Sequence, residues 1–380
     1  MALDLYSGDY KLFRDSFRKF LQAEVIPHYH EWEEAGQIPR EVWQKAGENG
    51  FLCPWVEEKY DGAGAGFEYS VIITEELARA GTHVMFPLHS DIIVPYIASY
   101  GTEEQKQKWL PGCVSGDIIT AVAMTEPDTG SDLAAIRTTA VREGDHYILN
   151  GTKTFISNGL LSDLIIVACK TDPRANPPHK GISLVVVEKD APGFSRGRKL
   201  DKMGLRSQDT AELVFSDCRV PAGNLLGREN AGFIYLMEKL QQERLVCSIM
   251  AQGLAERMLN YTIEYCRERH IFGKPVTKFQ HNSFKLAEMA TEVELGRSFI
   301  NQLLEKHLAG ERVVKEVSMA KWWITEMANR TAYHCLQLHG GYGYCEEYPI
   351  CRDYRDVRIF NIFAGTTEVM KNIIAKEIGL

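Results

Sequence analysis

Ala121-Val-Ala-Met-Thr-Glu-Pro-Asp-Thr-Gly-Ser-Asp132 marks the point where a helical sequence turns into a β one. Its alternating apolar positions make a strand edge. Pro127 and Gly130 stop that strand, and Thr125 and Ser131 leave hydroxyls beside free backbone N–H groups. From Ile118 to about Pro221 the chain is built of β-branched runs: Tyr147-Ile-Leu149, Leu164-Ile-Ile-Val-Ala168, Ile182-Ser-Leu-Val-Val-Val187 and Leu213-Val-Phe215. Asn150-Gly151, between two such runs, predicts a hairpin turn. The middle third therefore reads as an antiparallel β domain.

On either side the period is helical. Phe13, Phe17, Phe20 and Leu21 share one face, and Ile72, Ile73, Glu76, Leu77 and Ala80 repeat the pattern. After Gly232, Val246, Met250, Leu254 and Met258 form one stripe, followed by the helical stretches Phe284 to Leu304 and Val314 to Leu338, long enough for a four-helix bundle. The expected fold class is α+β, with an N-terminal helical domain over 1–117, a β domain over 118–231 and a C-terminal helical bundle over 232–380. Asn176-Pro-Pro-His-Lys180 is the most loop-like insertion.

The 380 residues are 45% hydrophobic and 25% charged, enough for several cores and against any long disordered stretch. A net charge of -8 argues against nucleic acid or an anionic membrane as the main partner. Nine cysteines are scattered without a Cys-x-x-Cys pair or zinc spacing, so no metal is expected and the thiols read as reduced. Met1-Ala-Leu-Asp-Leu-Tyr6 has no basic or apolar leader, and no apolar run nears the ~18 residues of a membrane span. Cytoplasmic residence is the expectation; a mature organellar protein without its leader would look the same.

Five further segments carry chemistry, in this order: Phe155-Ile-Ser-Asn-Gly159, Met203-Gly-Leu-Arg-Ser207, Arg269-His-Ile-Phe-Gly-Lys274, Gln337-Leu-His-Gly-Gly-Tyr-Gly343 and Ala364-Gly-Thr-Thr-Glu368. Singly each has a plain structural reading: Gly340-Gly341 as a helix stop, Arg269 as a solvated helix residue, Ser131 as a turn. Jointly, and in this domain order, they resemble the acyl-CoA dehydrogenase flavoprotein family over essentially the whole chain, closest to its long-chain branch. The resemblance implies FAD against Met124, Thr125, Gly130 and Ser131 and against Phe155, Ile156 and Ser157, with Phe155 flanking the isoalloxazine and Ser157 near its reactive edge. It implies a homotetramer in which Arg269, Phe272, Gln280, Gln337, Leu338, Gly340 and Gly341 reach a flavin held mainly by another subunit. Arg269 suits a diphosphate, since a guanidinium offers paired donors. Thr366, Thr367 and Glu368 would close the FAD site, and an electron-transferring flavoprotein or similar acceptor would take the electrons. No Gly-x-Gly-x-x-Gly opens a helix, so a Rossmann site is not supported.

The reaction so implied needs a carboxylate base on an acyl-CoA thioester. In most of the family that glutamate lies immediately before the Gly-Thr of the last motif, where this chain has Ala364. Alanine takes no proton, although its N–H can still donate to a thioester oxygen beside Gly365. Glu243 in Gln241-Gln-Glu-Arg-Leu245 matches the helix position used as base in the long-chain and isovaleryl branches, with Arg244 on the CoA side and Ser131 also facing substrate. Asp91, in Pro87-Leu-His-Ser-Asp-Ile-Ile-Val-Pro-Tyr96, lies on a segment resembling the helix that lines the acyl pocket. The long-chain branch has a small residue there, and burial would raise an acid's pKa toward a base's working range. Alternatively, Asp91 or Ser90 caps a helix starting at Ile92. Ala364 and Asp91 together point to a thioester already unsaturated at its α carbon, losing a γ proton to Asp91. The favoured substrate on this reading is cyclohex-1-ene-1-carbonyl-CoA, oxidised to the 1,5-diene as in anaerobic aromatic metabolism. The alternatives are α,β-dehydrogenation of a saturated acyl-CoA with Glu243 as base, an oxygen-using oxidase or flavin monooxygenase, and a non-catalytic flavin- and CoA-binding assembly module.

Overall fold

Amphipathic spacing folds the first third into α1 (Gly8–Phe20), α2 (Tyr29–Ala35), α3 (Arg40–Glu48), α4 (Phe67–Ala80), α5 (Val94–Tyr100) and α6 (Glu103–Ser115), in a computed structural model that describes residues 4–380. Met1 to Leu3, where the leader reading began, lie outside the described residues. Phe17 and Phe20 pack edge-on or tilted against Phe51, which closes a core beneath α1 to α3. Thr102 and Gln105 cap α6 reciprocally, each side chain taking or holding the other's N–H. Between α4 and α5 the residues Leu88–Ile93 form a π-helical stretch. Asp91 lies inside it, so neither Ser90 nor Asp91 caps a helix at Ile92. The Ser90 hydroxyl instead accepts the Cys53 N–H at 3.0 Å.

The middle third is a sheet of β1 (Thr120–Ala123), β2 (Thr139–Glu143), β3 (His146–Ser157), β4 (Leu164–Lys170), β5 (Ile182–Glu188), β6 (Phe194–Lys199), β7 (Thr210–Pro221) and β8 (Leu225–Leu226). The strand order is β6-β7-β3-β2-β4-β5-β8, with β1 alongside β4. Pairing is antiparallel except where β4 meets β1 and β2. The expected hairpin at Asn150-Gly151 is not there: both residues lie inside β3, and Gly144-Asp145 makes the turn from β2. Asn150 exchanges hydrogen bonds with Asp217, and a Cβ on Gly151 would stand 2.4 Å from the Thr138 hydroxyl, so that glycine serves a close approach at a bulge. In β4, Leu164, Ile166 and Ala168 join the core toward the helices while Ile165, Val167 and Cys169 join the core on the other face. Both faces are covered, which is why this strand reads as an unbroken apolar run.

The last third contains α7 (Gly232–Glu268), a ribbon of β9 (His270–Ile271) and β10 (Lys274–Pro275), α8 (Gln280–Leu308), α9 (Val314–His339), α10 (Pro349–Val357) and α11 (Thr367–Glu377). α7, α8 and α9 pack on one another and α11 packs on α9, giving the four-helix bundle. The stripe Val246, Met250, Leu254 and Met258 is buried in it. The Met203 to Ser207 motif latches the β domain onto the bundle, because the Leu205 N–H donates to Asp356 of α10 at 2.6 Å. All nine cysteines are free thiols, and among the described residues no helix is long and apolar enough to cross a membrane.

Candidate active site

Glu243 stands on α7 one turn before Cys247, and the i, i+4 spacing puts both on one face. The glutamate is half-buried, its Oε2 is enclosed with no partner among the described residues, and burial pushes its carboxyl up to about 7 despite Arg244 and Lys321 nearby. Arg244 is buried and donates through Nε to the Ala364 carbonyl at 3.4 Å. Lys321, fully buried on α9, donates to the Gly365 carbonyl at 2.6 Å. The turn they hold is left-handed, with φ 54° at Ala364 and 98° at Gly365. The Ala364 N–H donates to no group among the described residues.

Sequence reasoning missed Lys321. Its signal was present: Val317, Lys321, Ile324 and Ala328 form one buried stripe of α9, and a lysine in such a stripe has a buried task. The structure thus brings Glu243, Arg244, Ala364 and Gly365 together and adds Lys321 to them.

Asp91 lies on the neighbouring element. Its backbone carbonyl accepts from the Gln242 side chain at 2.6 Å, which packs the π-helical stretch against α7 beside Glu243. Asp91 is 2% exposed as a residue, and its carboxyl stands near Ser70, Trp55 and Cys53, a different set of polar neighbours from those of Glu243. Burial pushes it up to about 7, with Ser70 and Trp55 drawing it back only in part. Oδ1 of Asp91, Oγ of Ser70 and the hydroxyl of Tyr96, which is raised by burial and by the Glu243 charge, all lack a partner among the described residues. Buried polar atoms left open in this way normally face a ligand or water.

On the β domain, Thr154 N–H donates to the Thr125 carbonyl at 3.0 Å, which sets the segment after β1 beside the end of β3. Lys153, fully buried, donates to the Met124 carbonyl at 2.9 Å and to Glu126 at 2.8 Å, and Glu126 in turn accepts the Arg137 and Thr138 N–H groups. Gly130 and Ser131 are exposed at the rim. A register shift between Lys153 and Ile156 turns Phe155 outward at φ 58°, 68% exposed, above buried Ile156 and half-buried Ser157. An exposed aromatic ring on strained backbone beside hydroxyls and free N–H groups suits a planar ring system.

The remaining cofactor candidates fall on a second surface. Arg269, directly after α7, sits over the Tyr342 ring and lines one cleft of about 980 Å³ with Gln337, Leu338, Gly340, Gly341 and Lys285. Gly340 ends α9 with φ 61°, so the glycine pair is both a helix stop and part of this wall. Phe272, 93% exposed, and Gln280 flank it at the tip of the β9–β10 ribbon and the start of α8. The two cations and the glycine backbone fit a diphosphate. None of residues 124–131 or 155–157 lines this cleft. Thr366 caps α11 by accepting the Val369 N–H at 3.3 Å, Thr367 keeps a buried hydroxyl without a partner among the described residues, and Glu368 is exposed in the first turn.

Family models described as acyl-CoA dehydrogenase N-terminal, middle and C-terminal domains match residues 7–117, 121–218 and 230–379. The long-chain specific acyl-CoA dehydrogenase of mouse mitochondria is 48% identical over 375 residues, covering 98% of this chain and 87% of that protein. An acyl-CoA dehydrogenase from Geobacillus kaustophilus superimposes with a TM-score of 0.98 at 62% identity over 100% of both chains. A chain from a structure of the electron transferring flavoprotein of Acidaminococcus fermentans superimposes with a TM-score of 0.94 at 35% identity, covering 100% of each.

Proposed function

The chain belongs to the acyl-CoA dehydrogenase family of FAD-dependent oxidoreductases acting on acyl-CoA, and from that premise we propose α,β-dehydrogenation of a saturated acyl-CoA with Glu243 as the base. One observation carries the reading. Half-buried Glu243, with its enclosed Oε2 unpartnered among the described residues, shares its surroundings with Arg244 and Lys321, and these hold the carbonyls of the turn whose Ala364 N–H is free. Glu243 removes the α proton. The Ala364 N–H donates to the thioester oxygen and stabilises the negative charge that develops there. Bound FAD supplies the hydride acceptor for the β carbon. Thr125, Ser131, Phe155 and Ser157 would hold its ring, and Thr366 to Glu368 would close that site. Arg269 with Gln337 to Gly341 would hold the diphosphate of a flavin from another subunit, in a homotetramer. The likeness to the Acidaminococcus chain supports an electron-transferring flavoprotein as acceptor.

A base must be ionised to act. Since burial places Glu243 at about 7, kcat/KM rises with pH through that value, about tenfold per unit below it, and levels off above. A profile already flat from about pH 5, an ordinary carboxylate's range, removes Glu243 from the role.

A second reading keeps Asp91 as the base for γ-deprotonation of cyclohex-1-ene-1-carbonyl-CoA. It is favoured by the buried Asp91 carboxyl, pushed up to about 7, whose Oδ1 has no partner among the described residues. Anaerobic flavin bleaching by cyclohex-1-enecarbonyl-CoA, cyclohexanecarbonyl-CoA, butyryl-CoA and palmitoyl-CoA, with products identified by mass, separates the two. Bleaching chiefly by a saturated ester is the expected result. Bleaching chiefly by the cyclohexene ester, lost in Asp91→Asn and retained in Glu243→Gln, reverses the assignment.

A further inference from the structure

We propose that Lys321 is a positioning residue for the thioester, holding the Gly365 carbonyl so that the left-handed Ala364–Gly365 turn presents the Ala364 N–H to the thioester oxygen. The proposal rests on the reading that this site takes an acyl-CoA thioester.

Three observations meet at this turn. Ala364 adopts φ 54°, a conformation that L side chains rarely take, and Gly365 follows at 98°. Two cationic side chains from two different helices bond the two consecutive carbonyls, Arg244 to that of Ala364 and Lys321 to that of Gly365. Lys321 itself is fully buried, and its recorded contact is that single carbonyl, with no carboxylate within ion-pairing distance among the described residues. A buried ammonium with one hydrogen bond serves stability poorly, because an apolar residue of the same length would suit the stripe of Val317, Ile324 and Ala328 better. Burial accordingly pulls its pKa down to about 8. The cost is understandable where the lysine fixes a backbone donor that must meet substrate at one angle. Arg244 reaches the same turn from α7, next to Glu243, so the base and the donor share one scaffold.

The test is equilibrium binding to the oxidised holoenzyme of two CoA ligands. One is 2-octenoyl-CoA, which keeps the thioester carbonyl but has no saturated bond to oxidise between its α and β carbons. The other is S-octyl-CoA, a thioether without the carbonyl. In Lys321→Met the affinity for the enoyl thioester falls about tenfold, the worth of a well-placed hydrogen bond, while that for the thioether is unchanged. Lys321→Gln, whose amide can still donate to Gly365, recovers part of that preference. A change shared equally by both ligands, or none, overturns the proposal. Lys321→Leu serves as a second apolar variant, and failure of both apolar variants to fold also overturns it by making the residue structural. Glu243→Gln leaves the thioester preference intact whether or not it stops turnover. Failure of the base assignment and failure of this one are therefore distinguishable.

Discussion

Glu243→Gln lowers the rate of anaerobic flavin reduction by a saturated acyl-CoA by about 10²–10⁴-fold, the range expected when a positioned base is removed. The amide is isosteric, so the packing around α7 is kept. Arg244 still bonds the Ala364 carbonyl, and Lys321 that of Gly365. Acyl-CoA binding should therefore change little, and the loss should fall on kcat with KM nearly constant. Ala364 offers no carboxyl to take over, and Asp91 faces Ser70, Trp55 and Cys53. Stopped-flow reduction by the best saturated ester of the panel measures the effect. A Glu243→Gln enzyme reduced at the wild-type rate would withdraw the base assignment.

Arg14→Ala destabilises the protein by about 3 kcal/mol or more, the second large effect, because it strips the central cation from a buried charge network. Arg14 is 1% exposed and bonds Glu76 at 2.5 Å and Glu75 at 2.9 Å, both on α4 and both buried. Glu75 also receives Arg297 from α8, and Glu76 receives Arg18 and Arg79. The network thus ties α1, α4 and the bundle together. The remaining arginines soften the loss but leave two buried carboxylates short of a donor. Arg14→Met, which restores bulk without charge, loses nearly as much if the charge is what matters. Thermal unfolding of the two variants reads the difference, and a midpoint within about 1 °C of wild type for Arg14→Ala would show the network to be dispensable; a ~1 kcal/mol loss alone shifts a domain of 150–250 residues by about 2–4 °C.

Periodicity carried most of the architecture. The stripe on α7, the apolar run of β4 and the phenylalanine face of α1 are each consequences of which faces a chain must bury, and they were legible without coordinates. Glu243 became a candidate through its place in Gln-Gln-Glu-Arg-Leu, a matter of residue identity and resemblance and not of period. Asn150-Gly151 misled because glycine has two uses: it makes tight turns, and it lets a neighbouring backbone come close. Only the packing against Thr138 distinguished them. The capping alternative for Ser90 and Asp91 failed in a related way, since a capping residue and a π-helical one look alike in sequence, and the choice depended on how the segment met α7 through Gln242.

Taken alone, then, the amino-acid order determined the α+β architecture and the absence of a carboxyl side chain at Ala364, because these depend on local period, turn chemistry and residue identity. The tertiary structure decided what surrounds Glu243. Lys321 and Gly365 are far apart in the chain and become neighbours only when α9, α7 and the turn before α11 pack. Hydrogen bonds of that kind, and the burial that moves Glu243 and Asp91 to about 7, depend on distances between elements. Sequence spacing within one element does not encode them.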